Sequence, residues 1–141
     1  MAGQEGLGRL FNFVHQASGV HIPLDNASGI TFFNFLDAGT QSVTLKESID
    51  GASEQNLAVI DKLYKGPGIG GTWTKVTQAA AATYDNSTDA TNDCIAIYVG
   101  ADQLSDGFNC VELTSGTGTC IAVIHDLNVQ RDPANLASSV V

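Results

Sequence analysis

Between Cys94 and Leu127 the chain reads CIAIYVGADQLSDGFNCVELTSGTGTCIAVIHDL, three apolar, β-branched runs parted by two polar breaks that contain glycine. Runs this short, bounded by turn-forming residues, predict consecutive β-strands rather than helices. The last run, Thr119 to Leu127, is the most apolar stretch of the chain and predicts a central strand. If Ser115-Gly116-Thr117-Gly118 closes a hairpin, Val111 faces Ala122, Leu113 faces Cys120 and Cys110 faces Val123. Val111 and Leu113 would then share one apolar surface with Cys120, Ala122 and Ile124. Ile121, Val123 and Leu127 make the opposite face apolar as well, as in a strand covered on both sides.

The same alternation recurs upstream. In Ile30 to Leu36, Ile30, Phe32, Asn34 and Leu36 share one face while Thr31, Phe33 and Phe35 share the other, so this strand too is expected to be covered on both faces. Val43 and Leu45 alternate with Ser42, Thr44 and Lys46, and Trp73 to Thr77 alternates again. Pro23 confines Val20 to Leu24 to an edge or a strand end. Asp25 to Gly29, Asp37 to Thr40 and the polar run Asp85 to Asp93 read as turns and loops. One segment breaks the pattern. Ser53 as a cap, Glu54 in a first turn, and Leu57, Ile60, Leu63 and Tyr64 at helical spacing before Gly66-Pro67 predict a helix, in preference to a strand over Leu57 to Tyr64.

With 141 residues the chain makes one domain that buries about two thirds of its unfolded surface, enough for a core without disulfides or metal. The expected fold is mainly β: a single β-sandwich or jelly-roll-like domain of about seven or eight strands with at most one short helix. Residues 1–19 form an N-terminal arm or short edge strand carrying Leu10, Phe11, Phe13 and Val14. Residues 20–127 form the β domain, and residues 128–141 a C-terminal tail.

Six basic against 15 acidic residues give a net charge of −9. That sign repels phosphate backbones, and the cations form no cluster denser than Lys62 and Lys65, which argues against a nucleic-acid partner. The opening residues carry Glu5 and no apolar run of signal-peptide length, and no stretch is long enough to span a membrane. The expectation is a protein made in the cytoplasm, whose three cysteines are free thiols in a core.

No motif carries chemistry. Gly66 and Gly71 have P-loop spacing, but Thr72 stands where the phosphate-binding lysine belongs. Cys94, Cys110, Cys120 and His125 match no zinc spacing. His125, beside Asp126 at the end of an apolar run, reads as a hydrogen-bonded strand-end residue in preference to a general base, and no serine sits in a nucleophile elbow. Asp85, Asp89, Asp93, Asp102 and Asp106 form no calcium loop and read as a solvated acidic face. The residues therefore point to no catalytic group, metal or cofactor. Trp73, with Tyr98, is the aromatic candidate for stacking a ligand, against a plainer place in a core or interface.

Three segments carry a resemblance. Gly71 to Thr83 (GTWTKVTQAAAAT), Asp102 to Val111 (DQLSDGFNCV) and His125 to Leu136 (HDLNVQRDPANL) resemble small virion proteins of tailed phages that infect actinobacteria, and Gly6-Leu7-Gly8-Arg9 fits the same pattern. The resemblance implies a non-enzymatic capsid decoration (cement) protein at the capsid surface. Its partners would be the major capsid protein and itself, as a homotrimer. A tail-tube or head–tail connector protein would share these features, and a carbohydrate- or host-surface-binding module is the rival of another kind. On the leading reading Leu10, Phe11 and Phe13 from the arm and Leu136, Val140 and Val141 from the tail bury themselves on a neighbouring subunit.

Overall fold

The computed structural model describes residues 11–35, 42–116 and 118–128. Among these lie eleven strands: β1 Phe11–Gln16, β2 Ile22–Pro23, β3 Ala27–Phe35, β4 Ser42–Ile49, β5 Ala52–Asn56, β6 Ile60–Gly66, β7 Thr74–Ala81, β8 Thr83–Asp85, β9 Cys94–Gly100, β10 Cys110–Ser115 and β11 Thr119–Leu127. A single 3-10 turn spans Ala101–Gln103. The strands form two antiparallel sheets, one in the order β1-β11-β3-β9-β6-β7 and one in the order β2-β10-β4-β5, with β8 on the same side of β4 as β5. The expected mainly-β sandwich is the observed architecture.

Alternation decides which side of each strand faces the partner sheet. Ile30 and Phe32 on β3, Ile95, Ile97 and Val99 on β9, Leu63 on β6 and Ala122 and Ile124 on β11 point inward from the larger sheet. Val43 and Leu45 on β4 and Val111 and Leu113 on β10 meet them from the smaller one. Cys94, Cys110 and Cys120 are free and buried. Burial pushes the Cys120 thiol up to about 12, which leaves it protonated and inert.

The hairpin read across Ser115 to Gly118 does not form. β10 pairs with β4 and β2, whereas β11 pairs with β1 and β3, so the two runs lie in different sheets. Both edges of each strand are already taken, and crossing between layers sets Val111 and Leu113 against Cys120, Ala122 and Ile124 across the core rather than beside them. The apolar faces were read correctly; the pairing was not.

The helix over residues 53–65 is also replaced, by β5 and β6. Asp50 and Gly51 adopt positive φ and turn the chain back from β4 into β5, and Ser53, also at positive φ, lies inside β5 where its ladder with β4 shifts register, so it caps no helix. Ile60 and Leu63 are three apart yet both point inward, because the ladder shifts register between Ile60 and Lys62. At this irregularity Asp61 and Lys62 both point outward, which breaks the alternation and reproduces a helical spacing. Leu57 lies between the strands, its N–H bonded to the Leu45 carbonyl.

The polar 85–93 segment is held rather than free. Lys65 Nζ lies 2.6 Å from Asp89 Oδ2, and Asp89 also accepts from the Asn92 backbone and side chain. The Lys65 hydrogen bond, with these, draws the Asp89 carboxyl down to about 2.

Candidate functional site

β3 and β11 were expected to be covered on both faces, and among the described residues a second sheet covers only one. On the outer side of the larger sheet the pairing registers align Phe11, Phe13 and His15 of β1 with His125, Val123 and Ile121 of β11. These in turn lie beside Gly29, Thr31 and Phe33 of β3, then Gly100, Tyr98 and Ala96 of β9, then Tyr64 of β6. Val123, Ile121 and Phe33 are half-buried only by their neighbours within the sheet. Phe13, Phe35, Tyr64 and Tyr98 stand 42–53% exposed, and Phe11 38%. Singly exposed apolar residues are ordinary; a contiguous aromatic face across five strands is not.

Of the residues singled out from sequence for an interface, Phe11 and Phe13 lie on this face, at its β1 edge. Leu10, Leu136, Val140 and Val141 lie outside the described residues. Phe33 and Phe35, and Ile121 and Val123, were each legible as an apolar face of their own strand, while Tyr64 carried no such signal. Only the register places them together.

Tyr98 and His125 stack at a centroid distance of 5.6 Å with 22° between planes. Gly29 makes room for the stack: a Cβ there would lie 2.7 Å from Tyr98 Cε2 and 2.9 Å from His125 Cε1. The ring is also tied at both nitrogens, Nδ1 to Asp126 Oδ2 at 2.8 Å and Nε2 to Thr31 Oγ1 at 2.9 Å. Thr31–His125–Asp126 thus has the connectivity of a hydrolase triad. The surroundings favour a structural role. Thr31 sits mid-strand between β11 and β9, so the neighbouring N–H groups point into the ladders, where they cannot form an oxyanion hole. The Asp126 side chain is 70% exposed and lacks the shielding that makes a triad carboxylate effective. His125 was read as a hydrogen-bonded strand-end residue, and these contacts are that arrangement.

Beside the stack, Tyr64 and Tyr98 occupy diagonal positions on β6 and β9 and line a groove of about 350 Å³ with Asp61, Lys62, Asp102 and Gln103. Aromatic surface bordered by carboxylate and amide groups suits a ligand with one apolar face and a rim of hydroxyls. Trp73, proposed as Tyr98's partner, is 44% exposed and packed over Gly66, outside the residues that line this groove.

A second cluster lies on the outer side of the smaller sheet, where His21, just before β2, meets Glu112 of β10 and Glu54 of β5. Glu54 pairs with Lys46 at 2.7 Å, and that hydrogen bond lowers its carboxyl. Burial, and then the nearness of Glu54, raises the Glu112 carboxyl. Sequence spacing held no trace of this cluster, whose members are separated by 33 and 58 positions (54 − 21 and 112 − 54).

No family model matches the chain, and neither a curated protein nor a solved structure shows significant similarity to it.

Proposed function

We propose that the chain is a non-enzymatic virion structural protein: a capsid decoration protein, made in the host cytoplasm, that binds the outer lattice of a tailed-phage head as a homotrimer and stabilises it. The open aromatic face of the larger sheet carries this reading. A strand such as β3, apolar on both sides, is suited to burial on both sides, and a lattice neighbour is what would cover Phe11, Phe13, Phe33 and Phe35. The resemblance of three segments to actinobacteriophage virion proteins supports the same assignment, and so does an acidic, sparsely charged surface suited to repeated packing. Imaging of purified virions with an antibody or a small fused label is expected to decorate the head lattice with regular occupancy. Label confined to the tail or the head–tail junction would move the protein to the tail-tube or connector class. Its absence from purified particles would defeat the reading altogether.

The Tyr64–Tyr98 groove favours a second reading, a carbohydrate- or host-surface-binding module. In that case glycan-array binding by the intact protein is expected to fall at least about tenfold in Tyr64→Ala, which leaves the Tyr98–His125 stack in place. An array showing no glycan bound above background removes it.

A further inference from the structure

We propose that His21, Glu54 and Glu112 form a site for one divalent metal ion of the zinc class, which ties the segment leading into β2 to β10 and β5. One ligand atom from each residue lies within 4.8 Å of the others. His21 Nε2, the nitrogen that would bind the ion, is 3.8 Å from Glu54 Oε2, and the other ring nitrogen, Nδ1, is 3.6 Å from Glu112 Oε2. In a tetrahedral site with bonds of about 2.0–2.1 Å, ligand atoms stand about 3.3–3.4 Å apart. One ring nitrogen alone can bind the ion, so closing the set means drawing ligand atoms that now stand up to 4.8 Å apart inward by at most about 1.5 Å, which rotation of the half-exposed Glu54 side chain can supply.

Glu112 supplies the independent observation. The residue is 1% exposed. Its Oε1 accepts the Gly19 N–H at 2.8 Å, but its Oε2, facing His21 and Glu54, has no hydrogen-bond partner. A buried carboxylate oxygen without a donor is costly, and a second carboxylate beside it makes it costlier. Lys46 does not remove the cost, because its ammonium is spent on the other Glu54 oxygen, Oε1. An ion between the two Oε2 atoms would satisfy both at once.

The donor set selects the metal. Calcium and magnesium take oxygen ligands, whereas an imidazole with two carboxylates suits zinc and its borderline neighbours. Ser48 Oγ, 3.1 Å from His21 Nδ1, would hold the ring orientation as an outer-shell partner. Glu54, whose side chain is 36% exposed, leaves the site open to solvent on one side for entry of the ion. The nearby positive charge of Lys46 argues for modest affinity.

The test is metal binding by the intact protein after chelator treatment and dialysis. Zn²⁺ is expected to bind at one ion per chain and, at about 100 times its Kd, to raise Tm by about 5–10 °C. Co²⁺ in the same site is expected to lack the intense charge-transfer absorption of thiolate ligation, which separates it from adventitious binding at Cys94, Cys110 or Cys120. Glu112→Gln keeps the shape of the side chain and should fold. It is expected to lose the Tm response and at least about tenfold in affinity while equalling the metal-free parent in stability. Glu54→Gln, at the surface, is expected to weaken binding similarly. A parent protein whose Tm ignores Zn²⁺ would overturn the proposal and leave the two carboxylates sharing a proton. Undiminished Zn²⁺ binding by both variants would overturn it too.

Discussion

Replacing Phe11 and Phe13 together by threonine is expected to strip the protein from capsids while leaving it folded. Both side chains project from the outer face of β1, 38% and 51% exposed, so neither contributes much to the core of the isolated chain. Threonine, like phenylalanine, is a residue that strands favour. Covering the remaining surface of each ring is worth about 1 kcal/mol, or about 2 kcal/mol for the pair, a roughly thirtyfold loss of affinity per copy. A homotrimer engaging three lattice sites would compound this to a loss on the order of 10⁴. Co-sedimentation with capsids assembled without the protein reads the loss, and a Tm within about 3 °C of the parent shows that the fold survives. Removal of residues 1–14 is a poorer test, because it deletes most of β1 and exposes the edge of β11. A doubly substituted protein that still saturates capsids at the parental concentration would take β1 out of the interface.

Strand identity was legible wherever parity ran unbroken. That Phe32 and Phe33 take opposite faces, and that Val111, Leu113, Cys120, Ala122 and Ile124 share one apolar surface, follows from the pleat, and the structure keeps both readings. The errors arose where parity broke or where pairing was non-local. At Asp61 the ladder with β7 is interrupted, with Asp61 and Lys62 both outward, so Ile60 and Leu63 imitate a helical repeat. At Ser115 to Gly118 the residues are those of a tight turn, and turn chemistry does not say whether the next strand lies beside the last or across from it. That choice rests on the edges of β10 and β11, occupied by strands more than 60 residues away in sequence for β4 and more than 80 for β3.

The candidate sites divide along the same line. Phe11 and Phe13 could be read from sequence because two phenylalanines in a glycine-rich opening must be buried somewhere. The rest of the aromatic face is a property of register. Tyr64, Ala96 and Tyr98 become neighbours only once β6 is laid beside β9. The His21, Glu54 and Glu112 cluster depends on three strands of the smaller sheet and on the β1–β2 connection, which brings the Gly19 N–H to Glu112. A lone histidine and two scattered glutamates carry no spacing that a sequence could reveal.

Phe32 and Phe33 give the sharpest test of the open face, because adjacent residues of opposite parity share every sequence-local property. Phe32 is fully buried between the sheets. Its replacement by alanine is expected to cost about 3–5 kcal/mol, from lost transfer energy and the cavity left behind. For a domain of this size that lowers Tm by roughly 10–15 °C. Phe33 lies on the outer face and is only half-buried, so Phe33→Ala is expected to cost less, about 1–2 kcal/mol, and to move Tm by only a few degrees. Capsid binding should rank the pair in the opposite order. Below its own melting transition Phe32→Ala retains the outer face and is expected to bind, whereas Phe33→Ala removes the ring between Ile121 and Ala96 and weakens attachment. Equal and large losses of stability would mean that the outer face is already covered in the free chain. The surface would then not be available to a lattice neighbour, and the argument from the unmatched face of β3 would fail with it.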